Sequence, residues 1–172
     1  MGVLDRREGK IKKPMKLSLK TGFSFGLTSG VITTLGLMVG LHAGTQSKIA
    51  VIGGILTIAI ADAFSDALGI HVSEESQNQH DERHIWESTI STFIAKFIVA
   101  MTFVAPVVLL PLGTAMIAAI AWGMLILGFF SYKIAIDSKQ KPVNVILEHV
   151  VIGLLVVVIT HFVGDWLGKT LG

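Results

Sequence analysis

The stretch IAVIGGILTIAIADAFSDALGI, residues 49–70, is long and apolar enough to cross a bilayer, yet it contains two aspartates, Asp62 and Asp66. A membrane-spanning helix needs about 20 predominantly apolar residues. A carboxylate near the bilayer centre costs at least about 2.5 kcal/mol, so it is normally paired, neutralised or kept for a function. The stretch therefore predicts a transmembrane helix that carries a functional site.

The rest of the chain repeats this apolar pattern. Of its 172 residues, 52% are hydrophobic and 15% charged, and the mean hydropathy is +0.71. Soluble domains of this size rarely have such a composition. We predict an all-α integral membrane protein with one transmembrane domain over residues 17–172 and a basic tail over residues 1–16. The five predicted helices cover residues 17–44, 49–75, 88–110, 112–135 and 143–168.

Positive charge is concentrated on one side of the predicted bundle. With five spans, one side carries a large basic set: Arg6, Arg7, Lys10, Lys12, Lys13, Lys16, Lys20, Arg83, Lys133, Lys139 and Lys141. The opposite side carries only Lys48 and Lys169. Because basic loops stay in the cytosol, we predict a cytosolic N-terminus. Contact with the anionic surface of the lipid bilayer explains the basic tail, and no nucleic-acid partner is expected. The absence of cysteine excludes thiolate metal sites and disulfides.

The first predicted helix has a stripe of small residues. At 100° per residue, six of its glycines fall within about 120° of arc: Gly22, Gly26, Gly30, Gly36, Gly40 and Gly44. Such a stripe lets another helix approach closely. The partner helix could belong to the same chain or to a second copy.

Two interpretations of the aspartates remain open. At four-residue spacing, Asp62 and Asp66 lie about 6 Å apart on one helix face and can share a cation or a proton. Alternatively Lys96, expected at a similar depth on the third helix, forms an ion pair with Asp66. That pair would leave Asp62 unexplained, so we favour a functional carboxylate pair, with Lys96 as a competitor that a metal ion displaces.

A second polar cluster follows the second helix, on the cytosolic side. Its members are His71, Glu74, Glu75, His80, Asp81, Glu82 and His84. Oxygen and imidazole ligands without thiolates suit Mn(II), Fe(II), Co(II) or Zn(II). His71 and Glu75, four residues apart on a continuing helix, form a candidate metal pair, although an ordinary polar loop has the same composition. Glu148, beside His149, is a weaker candidate for proton relay because water reaches the membrane surface.

The segment ADAFSDALGIHVSEESQ, residues 61–77, resembles the second helix of the vacuolar iron transporter (VIT) family. The shared positions are Ala61, Ala63, Ser65, Gly69, Ser73, Ser76 and Gln77. The departures fall on functional positions. Ser29 stands where the family has a metal-binding aspartate, Asp66 where it has methionine, Asp62 where it has glycine, and Ile70 where it has glutamate.

The resemblance implies a five-helix homodimer that exchanges a divalent metal for protons and moves the metal out of the cytosol. The metal residues we expect are Ser29, Asp62 and Asp66. From the residues themselves, Lys96 and Glu148 are the candidates for proton coupling or charge pairing. The family's plant members insert a metal-binding domain after the second helix, whose role here is either lost or reduced to Glu74, Glu75 and their neighbours, among them His71. We expect transported Mn(II) or Fe(II), and no prosthetic group.

Two other functions stay open. A non-transporting membrane interaction protein of the same fold would retain the helices after losing transport. An intramembrane hydrolase could use two aspartates to activate water, but such pairs usually come from two helices, so we do not expect an enzyme. The compact chain favours a prokaryotic plasma membrane, or a vacuolar-type membrane in a eukaryote.

Overall fold

A computed structural model describes residues 17–171, which fold almost entirely as helices. The helices are α1 Leu17–Thr45, α2 Lys48–Ser76, α3 Glu82–Thr102, α4 Val104–Leu109, α5 Leu112–Asp137 and α6 Pro142–Leu171. Residues 1–16 and 172 lie outside the described residues, and with them the predicted basic tail. Five spans are long and apolar enough to cross a membrane, which confirms the all-α membrane fold.

The third span differs most from its expected bounds. It begins at Glu82 instead of residue 88, because the Asp81 side chain caps the helix by accepting a hydrogen bond from the His84 backbone N–H at 3.0 Å. It is also divided into α3 and α4 at Phe103. Pro106 explains the division, since proline has no N–H to donate to the carbonyl four residues earlier and its ring clashes there.

Short connections arrange consecutive spans in opposite directions. The start of α1 and the end of α5 lie at the same end of the bundle, where Lys20 Nζ is 2.8 Å from an Asp137 carboxylate oxygen. At the other end, Lys48 Nζ donates to the carbonyls of Val108 and Leu110 at 3.0 and 3.3 Å. The α2–α3 loop therefore lies at the same end as the start of α1. The placement of that end in the cytosol stays a prediction from charge.

Helix α1 is the centre of the bundle and contacts α2, α3, α5 and α6. Its buried residues Leu27, Val31, Leu35 and Met38 form the core together with residues of α2 to α5. By contrast, α6 exposes apolar side chains along most of its length, as α2 does on one side. Apolar outer faces of this kind suit contact with lipid tails.

The glycines of α1 lie against two different helices of the same chain. A Cβ atom added at Gly22 or Gly26 would come within 2.1 or 2.4 Å of a backbone carbonyl oxygen of α3. Towards the opposite end, one at Gly44 would come within 3.0 Å of the Gly164 carbonyl of α6. Gly30 approaches α3, whereas Gly36 and Gly40 approach α6. Both halves of the stripe thus contact neighbours within the chain.

Candidate intramembrane cation site

Three helices bring an ammonium group and two carboxylates together inside the bundle. Lys96, on α3, is 1% exposed, and its Nζ lies 2.6 Å from a carboxylate oxygen of Asp62 on α2. Nζ also forms an ion pair with Asp66, one turn further along α2, and donates a hydrogen bond to the Ser29 hydroxyl of α1 at 2.9 Å. The site therefore combines Ser29, Asp62 and Asp66 around a single positive charge.

Ser29 acts as a bridge within this cluster. It accepts the hydrogen bond from Lys96 and donates its own hydroxyl hydrogen to Asp66 at 2.6 Å. Asp66 thus receives a hydrogen bond from each of the two neighbouring helices. The Asp62 oxygen has the distance of an ion pair but not the geometry of a hydrogen bond. Asp62 is consequently the less firmly held of the two carboxylates.

The α1 glycines make this arrangement possible. Next to Ser29, a Cβ atom added at Gly30 would lie 3.2 Å from the Lys96 side-chain stem. Gly26 brings α1 against the backbone of Thr92, one turn before Lys96. Because α1 and α3 are in such close contact, the long lysine side chain is enclosed and its ammonium group reaches α2. The small-residue packing and the charged site therefore belong to one structural feature.

The ion pair is more extensive than the sequence interpretation assumed. That interpretation expected a Lys96 pair with Asp66 alone and treated the unpaired Asp62 as the argument for a functional site. In the structure Lys96 contacts both carboxylates, so this argument fails. The argument for a functional site now rests on the net charge of the cluster. With both aspartates ionised, two negative charges face one positive charge. Excess charge inside a membrane is costly unless a cation or proton balances it.

The two carboxylates are more exposed than the lysine between them. The side chains of Asp62 and Asp66 are 25% and 19% exposed, compared with 2% for Lys96. The carboxylate side chains are therefore more accessible than the ammonium group that they surround.

A second cluster lies at the end of the bundle that carries the α2–α3 loop. Glu74, near the end of α2, is 7% exposed, and its Oε2 lies 2.7 Å from His80 Nδ1 and 3.9 Å from His84 Nε2. One ligand atom from each of these three residues lies within 4.8 Å of the others. This is the spacing of groups that can share a cation.

The other proposed residues lie outside these two clusters. His71 Nδ1 is 3.1 Å from the Thr89 hydroxyl, and its ring packs edge-on against Trp86. Glu75 is exposed on the last turn of α2. Glu148 is exposed near the start of α6, and among the described ion pairs none connects it to Lys96. Of the three loop-side metal residues we selected from the sequence, only Glu74 is in the loop cluster.

His80 and His84 were present in the sequence cluster but were not selected as ligands. Two signals favour them. They are four residues apart, and Asp81 between them is a typical helix N-cap, so the second histidine lies in the first turn of a helix. Selecting His71 with Glu75 assumed that both ligands came from α2. In the structure the α2–α3 loop reverses the chain direction, so that His80 in the loop and His84 in α3 approach Glu74.

The fold and the buried charges define a class of protein: a multi-span membrane protein with a cluster of charged side chains between its spanning helices. The model of the VIT family matches residues 23–87, which cover most of α1, all of α2 and the beginning of α3. The match confirms the resemblance over this stretch and indicates a membrane metal-ion transporter. It includes Ser29, Asp62 and Asp66 but ends before Lys96. Comparison with curated proteins gives no match.

Proposed function

We propose that this protein exchanges a divalent metal, Mn(II) or Fe(II), for protons and carries the metal out of the cytosol. The observation that carries the proposal is the convergence of Ser29, Asp62 and Asp66 on one cationic group within the spans. Three oxygen-bearing side chains already surround a positive charge there. A metal ion in the same place would find the same oxygens.

The position of Lys96 provides a physical basis for exchange. Its ammonium group is a tethered cation, and metal binding to Asp62 and Asp66 requires its displacement. Protons act on the same oxygens, because a protonated carboxylate neither binds metal nor attracts the ammonium group strongly. Metal and protons therefore compete for one site, and that competition is the minimum requirement for antiport.

The ligand chemistry favours a hard divalent ion. A serine hydroxyl and two carboxylates offer only oxygen, and oxygen ligands suit Mn(II) better than the softer metals that prefer sulfur or imidazole. The same oxygen ligands can also bind Fe(II). Asp66 stands where the family has methionine, so a hard carboxylate replaces a soft thioether at this position. Mn(II) should consequently gain relative to Fe(II).

The proposal predicts metal uptake driven by a proton gradient. Purified protein in vesicles with an acidic lumen and a neutral bath should accumulate Mn(II) from the bath as protons leave the lumen. Measurement would use a metal-sensitive dye inside the vesicles, with protein-free vesicles and a protonophore as controls. Uptake that is unchanged after the protonophore would show transport without proton coupling. Absence of both Mn(II) and Fe(II) uptake by folded protein would contradict the proposed transport.

We further propose that the transporter is a homodimer in which α2 faces its counterpart. Small residues at every fourth position of α2 form an exposed outer stripe: Gly53, Thr57, Ala61, Ser65, Gly69 and Ser73. Asp62 and Asp66 each follow a residue of this stripe in the sequence, and both are partly exposed. A second copy on the stripe would approach closely and enclose the carboxylates. The glycine face of α1 already contacts α3 and α6, which leaves α2 as the better candidate.

A bulky residue in the stripe should weaken the dimer. We expect Ser65→Leu to shift the protein towards monomer, because the added volume prevents close approach of the two backbones. Mass measurement of the detergent complex by light scattering would follow the shift. The matched control is Leu155→Phe, which enlarges an exposed residue of α6. A parent protein that is monomeric, or a Ser65→Leu variant as dimeric as the parent, would contradict this interface.

A non-transporting interaction protein is the second candidate. The observation in its favour is that Lys96 contacts both carboxylates, since a closed ion pair needs no transported ion. The same vesicle experiment separates the two functions. A hydrolase has less support because both aspartates come from one helix, and the family match indicates transport. The lack of a plant-type insert favours a prokaryotic plasma membrane.

A further inference from the structure

We propose that Glu74, His80 and His84 form a second divalent-cation site at the loop end of the bundle, separate from the intramembrane carboxylates. The three ligand atoms lie within 4.8 Å of one another. They come from two helices and the loop between them, so the α2–α3 connection would be fixed by the bound ion. Zn(II), Co(II) and Fe(II) are the ions that two imidazoles and one carboxylate suit best.

The strongest observation is an unsatisfied buried carboxylate. Glu74 is 7% exposed, and its Oε2 makes no hydrogen bond to any described residue. His80 Nδ1 is only 2.7 Å away and is equally without a hydrogen-bond partner among residues 17–171. The two atoms are close enough for an ion pair but do not have hydrogen-bond geometry. A buried polar atom without a partner is costly, and a shared cation would satisfy both atoms at once.

The separations fit a metal centre. With metal–ligand distances near 2.1 Å, two ligand atoms of a tetrahedral zinc site lie about 3.4 Å apart. The observed separations from Glu74 Oε2, 2.7 Å to His80 and 3.9 Å to His84, fall on either side of that value. The two distances from Glu74 Oε2 therefore each differ from the coordination value by less than 1 Å.

One histidine ring has to turn for both to bind the same ion. The rings of His80 and His84 are stacked, with centroids 3.9 Å apart and planes 4° from parallel. In parallel rings the in-plane lone pairs do not meet at one point. The terminal torsion of histidine has broad minima, so rotation about the Cβ–Cγ bond is inexpensive. Cation binding is thus expected to break the stacking.

The site is distinct from the intramembrane cluster in position and in ligands. Glu74 follows Asp66 by eight residues, which corresponds to about 12 Å along the helix axis. The two positions lie about 80° apart around α2. On the proposed route out of the cytosol, an ion would reach the loop site before Asp66. That loading role rests on the proposed function, whereas cation binding at Glu74, His80 and His84 does not.

Binding can be tested without transport, using Co(II) as a spectroscopic probe and Zn(II) as a competitor. The full chain in detergent should show visible Co(II) absorption with nitrogen ligation, and Zn(II) should remove it. Glu74→Gln and His84→Gln should each weaken Co(II) binding by about ten-fold or more, because each removes a ligand. Glu75→Gln is the matched control, since Glu75 is the exposed neighbour of Glu74. Size-exclusion profiles would establish that each variant is folded.

Each outcome has a defined meaning. Loss of the signal in both ligand variants, with retention in Glu75→Gln and Asp66→Asn, would support a separate loop site. No Co(II) signal in the parent, or equal weakening by Glu75→Gln and Glu74→Gln, would overturn it. A signal that disappears only in Asp66→Asn would assign the ion to the intramembrane cluster and also overturn it. Transport failure with intact Co(II) binding would contradict the proposed function but not this site.

Discussion

Asp66→Asn is expected to reduce gradient-driven Mn(II) uptake by more than about 100-fold, equivalent to about 2.7 kcal/mol. Asp66 is the carboxylate that receives hydrogen bonds from both Ser29 and Lys96, so it is the more firmly positioned of the two carboxylates in the proposed metal site. An amide in its place keeps the shape but loses the negative charge that binds metal. Asp62→Asn should abolish uptake as well, because it leaves only one carboxylate for a divalent ion.

Both variants should still fold, and the charge balance explains why. After either substitution, Lys96 retains one carboxylate partner, so one positive charge faces one negative charge in the bundle. Initial uptake rates in vesicles, normalised to the amount of folded protein, would give the measurement. Asp165→Asn is the matched control, since Asp165 pairs with Lys169 on the surface near the end of α6. Uptake at the parent rate by both Asp62→Asn and Asp66→Asn would remove the intramembrane site from the transport mechanism.

The five-span architecture could be predicted from the sequence because a membrane-spanning helix is recognised by the length and apolar composition of its segment. Each of the five expected apolar segments corresponds to one span of the structure. The errors fall where a local signal opposes the pattern. The charged residues Glu82 and Arg83 look like loop, yet the Asp81 cap starts a helix there. Pro106 divides the same span, and no hydropathy average reveals that division.

The site was only partly predictable, because depth along a helix is easier to infer than direction around it. Counting residues from the helix ends places Lys96 level with Asp66, and the structure brings them together. The count does not show that the lysine side chain, held between α1 and α3, also reaches Asp62. The proposed loop site was only partly predictable for a similar reason. The sequence shows that Glu74 is near several histidines, but the path of the loop decides which of them lie beside it.

The α1 glycines illustrate how one pattern can serve two contacts. On a helical projection all six share one face, which indicates close packing but not its partner. In the structure the first three lie against α3 and the last three against α6. The two neighbouring helices occupy the same face at different heights. A projection down the helix axis removes height, so it cannot separate them.

Lys96→Met is expected to lower the free energy of unfolding by about 3–5 kcal/mol, because removal of one partner leaves uncompensated buried charge. Methionine has a similar length, so packing against Gly30 is largely preserved and the loss reports the missing charge. Thermal unfolding in detergent would measure it, with Lys169→Met as the exposed control. Adding Asp62→Asn and Asp66→Asn to Lys96→Met should restore most of the stability, since no charge then remains.

The effect of Mn(II) on thermal unfolding distinguishes two roles for Lys96. The lysine either competes with a metal ion for the carboxylates or only forms an ion pair with them. If the ammonium group holds the place of the transported ion, Mn(II) should raise the unfolding temperature of Lys96→Met more than that of the parent. Binding stabilises a folded protein in proportion to the logarithm of ligand concentration over its dissociation constant, and the variant has no competitor to displace. The triple variant, which lacks both intramembrane carboxylates but keeps the loop cluster, should respond less than Lys96→Met. Equal responses in Lys96→Met and the triple variant would mean that Mn(II) does not bind between Asp62 and Asp66, and that Lys96 serves stability alone.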